Sequence, residues 1–178
     1  YWRLRDHVGR VATLDDRETV DRLEALLLDA VGRQMEADVP LGAFLSGGID
    51  SSTIVALMQA QSSRPVQTFT VAIPEAASLD ESAFAAKVAR HLGTDHRSLD
   101  VTAADARAII PQLATMYDEP FADSSQIPTH LVSALARRTV TVALSGDGGD
   151  EVFGGYRRYL LAPTVARRTR RLPPVAAR

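Results

Sequence analysis

Apolar positions recur along this chain of 178 residues with two periods that take turns. Val20, Leu23, Leu27, Val31 and Met35 step by three or four, the spacing of one helix face. Asp15 and Glu18 just before them have the spacing of a capping box. Val39 to Leu45 is a short apolar run that reads as a strand. Ser51 to Gln61 reads as a helix that buries Ile54, Val55 and Met58. Val66 to Ile73, rich in β-branched residues, reads as a second strand. Asp80 to His91 predicts a helix stopped by Gly93, and Asp95 to Val101 a third strand. Thr102, with Asp105 three positions on, starts another helix, which Pro111 is expected to break or kink. Asp118 to Ile127 has little period and reads as loop. Pro128 is expected to be the first residue of a helix reaching about Arg138, and Thr139 to Leu144 is the fourth strand. Tyr1 to Asp15 reads as linker or edge. Beyond Tyr156, arginines interleaved with Ala, Val and Leu read as a helix cut off from its packing partner.

Strand and helix therefore alternate, which predicts an α/β domain with a parallel sheet and helices on both faces. In such sheets ligands sit beyond the carboxyl ends of the strands, where the strand order reverses. Two glycine-rich stretches follow strands at that end: Ser46-Gly47-Gly48-Ile49-Asp50-Ser51-Ser52 and Ser145-Gly146-Asp147-Gly148-Gly149-Asp150-Glu151. If the first and fourth strands are neighbours, both loops open into one crevice.

The first stretch is a strand, a tight loop and a helix start. Glycine lets the backbone turn sharply and removes side chains that would block a phosphate. The helix start offers unpaired N–H groups and the positive end of its dipole to an anion. Asp50 adds a carboxylate that can hold Mg²⁺ against that anion. The loop lacks the GxxxxGK[ST] pattern and its lysine, so it is not a Walker A loop. The bland alternative is a plain glycine turn capped by serine.

The SGGxDS loop resembles the pyrophosphate-binding loop of the PP-loop ATP pyrophosphatases. With the second loop and the segment Asp118-Glu119-Pro120-Phe121-Ala122-Asp123-Ser124-Ser125 between them, the chain resembles the synthetase domain of glutamine-hydrolysing asparagine synthetases. The resemblance runs from about Tyr1 to about Tyr159. It implies the PP-loop ATP pyrophosphatase fold, with residues 16–178 as the amino-terminal part of the synthetase domain and 157–178 as a truncated helical region. Residues 1–15, with Tyr1 and Trp2, would be the linker after a glutaminase domain lying upstream. It implies ATP-dependent amidation of aspartate through a β-aspartyl-adenylate, with AMP and pyrophosphate released and ammonia coming from glutamine. The cofactors implied are ATP and Mg²⁺, the compartment is cytoplasmic, and a homodimer is left open. Leu45, Ser46, Gly47, Gly48, Asp50, Ser51, Val71, Ser145 and Gly146 would bind ATP, with Leu45 and Val71 at the positions that contact adenine. Asp50 and Asp150 would bind metal. Asp147 would orient the carboxylate substrate or ammonia. It stands where the family usually has glutamate: the loop reads SGDGGDE against the commoner SGEGxDE, and aspartate is one methylene shorter. Asp118, Glu119, Asp123, Ser124 and Ser125 could line the substrate side or simply cap a solvated turn. Glu151 reads as a helix-start acid.

Composition narrows the reading further. The chain holds no cysteine, which excludes disulfides, thiolate metal sites and a cysteine nucleophile within these residues. A glutaminase half would have to lie upstream of Tyr1. No apolar run of about 18 residues exists to span a membrane. His7, His91, His96 and His130 have no metal-ligand spacing, and His91 and His96 are expected at the surface. All 22 acidic residues precede Arg157, while the rest of the chain holds seven arginines and no acid. That tail carries no aromatic platform for bases, so nucleic acid is not an expected partner. The single lysine, Lys87, matches none of the lysines the family places on the phosphates. The runner-up enzyme readings are a β-lactam synthetase or lasso-peptide cyclase type of relative; the remaining one is a nucleotide-binding module without turnover.

Overall fold

The computed structural model describes residues 3–6, 8–9, 13–76, 80–119 and 123–169. Tyr1, Trp2, His7, Pro120, Phe121, Ala122 and the tail from Arg170 onward, all singled out above, lie outside the described residues. A short 3₁₀ turn, Leu4–Asp6, precedes α1 (Asp16–Met35), β1 (Leu41–Phe44), α2 (Ile49–Gln61), β2 (Gln67–Ala72), α3 (Ser82–Leu92) and β3 (Asp95–Asp100). Then follow α4 (Ala103–Met116), α5 (Gln126–Ala136), β4 (Val142–Leu144), α6 (Gly149–Phe153) and α7 (Arg157–Thr169). The four strands form one parallel sheet in the order β3-β2-β1-β4. The chain walks outward from β1 to β3 and then returns to the other side of β1. The switch point is therefore the seam between β1 and β4, where Ala43 pairs with Leu144.

Side chains alternate across β1 as the period of two requires. Ala43 and Leu45 enter a core with Val31 of α1, Val55 and Met58 of α2, and Ala85 and Ala89 of α3. Phe44 packs on the opposite face against Phe69, Leu135 and Val140, where α5 lies across β2 and is flanked by α4. The sheet is thus covered on both faces. Both sequence-predicted capping boxes form. Asp15 accepts the Glu18 N–H at 2.8 Å while Glu18 accepts that of Asp15, and Thr102 and Asp105 do the same for α4. Helix α3 ends at Gly93 as predicted.

Several boundaries differ from the expectations, each for a local reason. Helix α4 runs unbroken through Pro111. Proline removes one N–H from the ladder, and both Pro111 and Arg107, whose carbonyl it would have served, are exposed to water. Helix α5 starts at Gln126, so Pro128 is its third residue rather than its first. The first turn of a helix has no intrahelical acceptor for its N–H groups, so proline costs no bond there either. Strand β4 begins at Val142 and not Thr139. The N–H groups of Thr139 and Val140 still bond back to Ala136 O, and Thr141 and Val142 both donate to Pro40 O. On α1 the apolar stripe is only partly used: Val31 is buried but Val20 is 62% exposed, because the shorter α2 is its packing partner. α7 forms as a helix but buries none of its residues.

His96 also departs from expectation. His91 is exposed, but His96 on β3 is half-buried. Its Nδ1 lies 2.9 Å from Thr68 Oγ1, and its buried Nε2 has no partner among the described residues. Burial holds its pKa below the ordinary 6.5. The unfolded chain then binds a proton before the folded one does, so stability is complete above about pH 6.5 and is lost as pH falls through the depressed folded value. Urea unfolding at pH 7.5 and pH 5.5 should show that loss, and His96→Gln should reduce the difference between the two conditions.

Candidate active site

The first loop is closed on itself by its two serines. The Ser46 N–H donates to Ser51 Oγ at 3.2 Å, the two hydroxyls share a hydrogen bond at 2.9 Å, and the Gly48 N–H donates to Ser46 Oγ at 3.2 Å. Gly47 has φ +83°, a conformation that L residues rarely adopt. A Cβ there would also stand 2.6 Å from Ala85 N and 2.7 Å from Phe84 Cβ, so the start of α3 is seated against the loop. Asp50 and Ser51 are the second and third residues of α2. An acid in that first turn is favoured by the helix dipole. The loop thus combines a sharp turn, hydroxyls and the amino end of a helix.

The second loop runs beside the first. The Ser145 hydroxyl donates to Asp147 Oδ2 at 3.0 Å, and the Asp147 N–H returns to Ser145 Oγ at 3.4 Å. Gly148, at φ +93°, turns the chain into α6. A Cβ on Gly146 would lie 2.6 Å from Ser51 N and 2.9 Å from the Asp50 carbonyl carbon. The two loops therefore touch through their backbones at the carboxyl ends of β1 and β4. One loop edge places Ser46, Gly47, Gly48, Asp50, Ser51, Ser145 and Gly146 together.

The four acids behind these strands sort themselves by what faces them. Asp147 is exposed and holds the Ser145 hydroxyl. Glu151 accepts the Tyr156 hydroxyl at 2.8 Å, and that bond holds the Glu151 carboxyl below its usual range and the Tyr156 phenol above its own. The Arg158 guanidinium lies 4.0 Å from the centre of the Tyr156 ring. Glu151 is thus more than a helix-start acid, and its aromatic partner, five residues further along and just before the arginine-rich tail, gave no periodic signal. Asp50 and Asp150 are half-buried, and their carboxylates make no hydrogen bond or ion pair with any described residue. Among the described residues no three His, Asp or Glu side chains gather as a metal cluster.

The two residues expected at adenine diverge. The Leu45 side chain is 1% exposed and belongs to the core under α2 and α3, with its N–H bonded to Phe69 O. Val71 instead lines a cavity of about 230 Å³ with Ile73, Val101, Thr102, Pro128 and Leu131, between the ends of β2 and β3 and the helices α4 and α5. Sequence reasoning did not find that cavity, because its walls come from four separate elements. Asp123 accepts the Ser125 N–H at 2.8 Å, which lowers its pKa. The structure so places Asp123 and Ser125 in a capped turn at the start of α5, with Asp118, Glu119 and Ser124 exposed.

A parallel sheet with its two glycine loops joined at the switch point defines the class: this is a PP-loop ATP pyrophosphatase fold. The chain is similar to the ammonia-dependent NAD synthetase of Campylobacter jejuni, with a TM-score of 0.52 and 14% identity over 76% of this chain and 60% of that one. At that identity the likeness concerns the fold. A family model described as asparagine synthase matches residues 22–178, and the chain belongs to that family. It is 41% identical over 161 residues to a putative glutamine-hydrolysing asparagine synthetase of Methanocaldococcus jannaschii, covering 90% of this chain and 30% of that protein. It is 39% identical over 150 residues to asparagine synthetase 1 of Bacillus subtilis, covering 84% of this chain and 23% of that protein. The chain thus spans about a quarter to a third of the length of these relatives. Among the described residues no helix is long and apolar enough to cross a membrane.

The contact between the loops can be tested by stability. Gly146→Ala must force apart two backbones, an overpacking expected to cost about 1–3 kcal/mol. Gly47→Ala adds a left-handed conformation, worth about 1–2 kcal/mol, to a similar clash. Urea unfolding should find Gly47→Ala the more destabilised of the two.

Proposed function

We propose that this chain is the ATP-binding part of the synthetase region of a glutamine-dependent asparagine synthetase. The observation that carries the reading is the close approach of the SGGxDS loop and the SGDGGDE loop at the switch point, in a chain of the asparagine synthase family. The reaction is ligase chemistry. The β-carboxylate of aspartate attacks the α-phosphorus of ATP and pyrophosphate departs, leaving a β-aspartyl-adenylate. Ammonia released from glutamine elsewhere in the intact protein then displaces AMP and gives the amide.

Each loop has a part in this. The leaving pyrophosphate carries the developing charge, and preorganised donors stabilise it. Ser46, Gly47, Gly48 and Ser51 supply backbone N–H groups and hydroxyls at the start of α2. Ser145 and Gly146 form the facing wall of the crevice. The purine rests at the ends of β1 and β2, with Leu45 contributing backbone and Val71 the wall of the adjoining cavity. Asp147 faces solvent at the tip of its loop, where it orients the acceptor carboxylate or the ammonia.

Asp50 and Asp150 suit Mg²⁺. A hard divalent cation takes carboxylate oxygens, and these two half-buried carboxylates have no protein donor set against them among the described residues. Bound there, Mg²⁺ supplies charge neutralisation to the polyphosphate. The resemblance also makes aspartate and ammonia the small-molecule substrates, a glutaminase domain upstream the expected partner in the intact chain, and the cytoplasm the compartment.

The shorter acid at Asp147 favours one second reading, a relative that uses another carboxylate or amine. Pyrophosphate release by the intact protein distinguishes them: aspartate with ammonia should support turnover. Release with a different carboxylate but not with aspartate would replace asparagine formation by the second reading. Asp50→Ala should weaken Mg²⁺-dependent ATP binding by about 1–3 kcal/mol, the scale of a lost charged contact. Calorimetry with and without Mg²⁺ checks it, and equal affinities would remove Asp50 from the metal site.

A further inference from the structure

Two glycines bracket the start and the exit of α6, and each lies against one of the two unpaired carboxylates. A Cβ on Gly149 would stand 2.5 Å from Asp50 Cγ and 2.6 Å from its Oδ2. A Cβ on Gly155 would overlap Asp150 Oδ1. These positions differ in kind from Gly47 and Gly146, where the obstructing atoms include backbone. At Gly149 the obstruction is only the end of a flexible side chain, and at Gly155 its nearest atoms are, with the Asp150 Cα further off at 3.3 Å. Neither glycine has a positive φ. Gly149 is the first residue of α6, where alanine is the better helix former. At Gly149 the fold itself gives little reason for glycine, since a methyl group would be met only by one carboxylate. At Gly155 the carboxylate is again the main obstruction, and the Asp150 Cα would have to give by only a few tenths of an ångström.

We propose that Gly149 and Gly155 are positioning residues that seat the Asp50 and Asp150 carboxylates for a divalent cation on the ATP polyphosphate. This assignment rests on the ATP–Mg²⁺ reading above. The two seats are linked across the loops: the second loop makes room for the carboxylate of the first, and the turn after α6 makes room for the second. That turn is itself pinned, by the Gly155 N–H donating to Asp150 O at 3.0 Å and by the Tyr156 hydroxyl on Glu151 at 2.8 Å. α6 has no buried residue to hold it otherwise. The seat for Asp150 is thus built from local bonds rather than from core packing.

The experiment compares Gly149→Ala and Gly155→Ala with wild type in the full-length protein. Thermal unfolding reports on the fold, and calorimetric ATP binding over a Mg²⁺ series reports on the site. Both variants should keep or raise the melting temperature, since Gly→Ala also restricts the unfolded chain. Both should need about tenfold or more Mg²⁺ for half-saturation, the scale on which residues that orient a metal ligand act. Gly149→Ala added to Asp50→Asn should bring no further loss, as expected for two changes acting through one carboxylate. A wild-type Mg²⁺ requirement in both variants overturns the assignment and leaves the ATP-binding reading intact. So does a lowered melting temperature with an unchanged Mg²⁺ requirement, which would make the glycines structural. Absence of Mg²⁺-dependent ATP binding by the wild type overturns the reading and the assignment with it.

Discussion

The contact between the backbone of Gly146 and that of Asp50 and Ser51 is the constraint on which the site depends. Parallel pairing of β1 with β4 brings the two strand ends level. Parallel strands cannot be joined by a tight turn, and here nearly a hundred residues of chain lie between the two paired strands. The loops then meet so closely that no side chain fits between them at Gly146. A ligand in the crevice is thereby presented with two glycine turns at once, and the amino end of α2 opens at the same seam. The strands β2 and β3, on the far side of β1 from β4, serve this seam indirectly. They carry α3, whose first turn lies against Gly47, and so lock the conformation of the first loop from the far side.

Most of the architecture was legible in the sequence because its signals are local. Asp15 with Glu18, and Thr102 with Asp105, announce helix starts through bonds that span three residues. Gly93 announces a helix end in the same way. Val66 to Ile73 announces a strand through its branched side chains. The misplacements arise where a signal depends on what is absent. Pro111 and Pro128 each remove an N–H, and the cost of that depends on whether the orphaned carbonyl meets water or whether the N–H had an acceptor at all. Sequence cannot report either. Val20 shows the converse: it has the right period for a buried face, but burial needs a partner helix long enough to cover it.

The candidate site was legible to a different depth. The order of the loops could be read directly, and the switch-point geometry of open α/β sheets made the neighbouring of β1 and β4 the condition for one shared crevice, a condition the structure meets. The fate of individual side chains could not. Leu45 falls beside Thr70 in the register of β1 with β2, so Val71 is one residue further along and its side chain takes the opposite face: one enters the core under α2 and α3 and the other lines a cavity. Ser145 and Asp147 are two apart and bind each other. Tyr156 lies five residues beyond Glu151 with a glycine pair between, and only the folded turn brings its hydroxyl to the carboxylate.

These local pairings have an electrostatic consequence. Four acids and no base occupy the two loops and the start of α6, an arrangement that by itself repels a polyphosphate. The protein answers part of that charge internally. Asp147 takes a hydroxyl from Ser145, and Glu151 takes one from Tyr156, whose ring also carries the Arg158 guanidinium. The charge left unanswered belongs to Asp50 and Asp150, whose carboxylates have no hydrogen-bond or ion-pair partner among the described residues. A like-charged ligand can approach such a pair only if a cation arrives with it or is already there, since the Coulomb cost between unscreened charges rises steeply as water is excluded. On the proposed ATP–Mg²⁺ reading the metal requirement and the anion site are one property: N–H groups of the glycine turns would attract the phosphates, the two carboxylates would oppose them unaccompanied, and the discrimination would fall on the metal-bound form of the nucleotide.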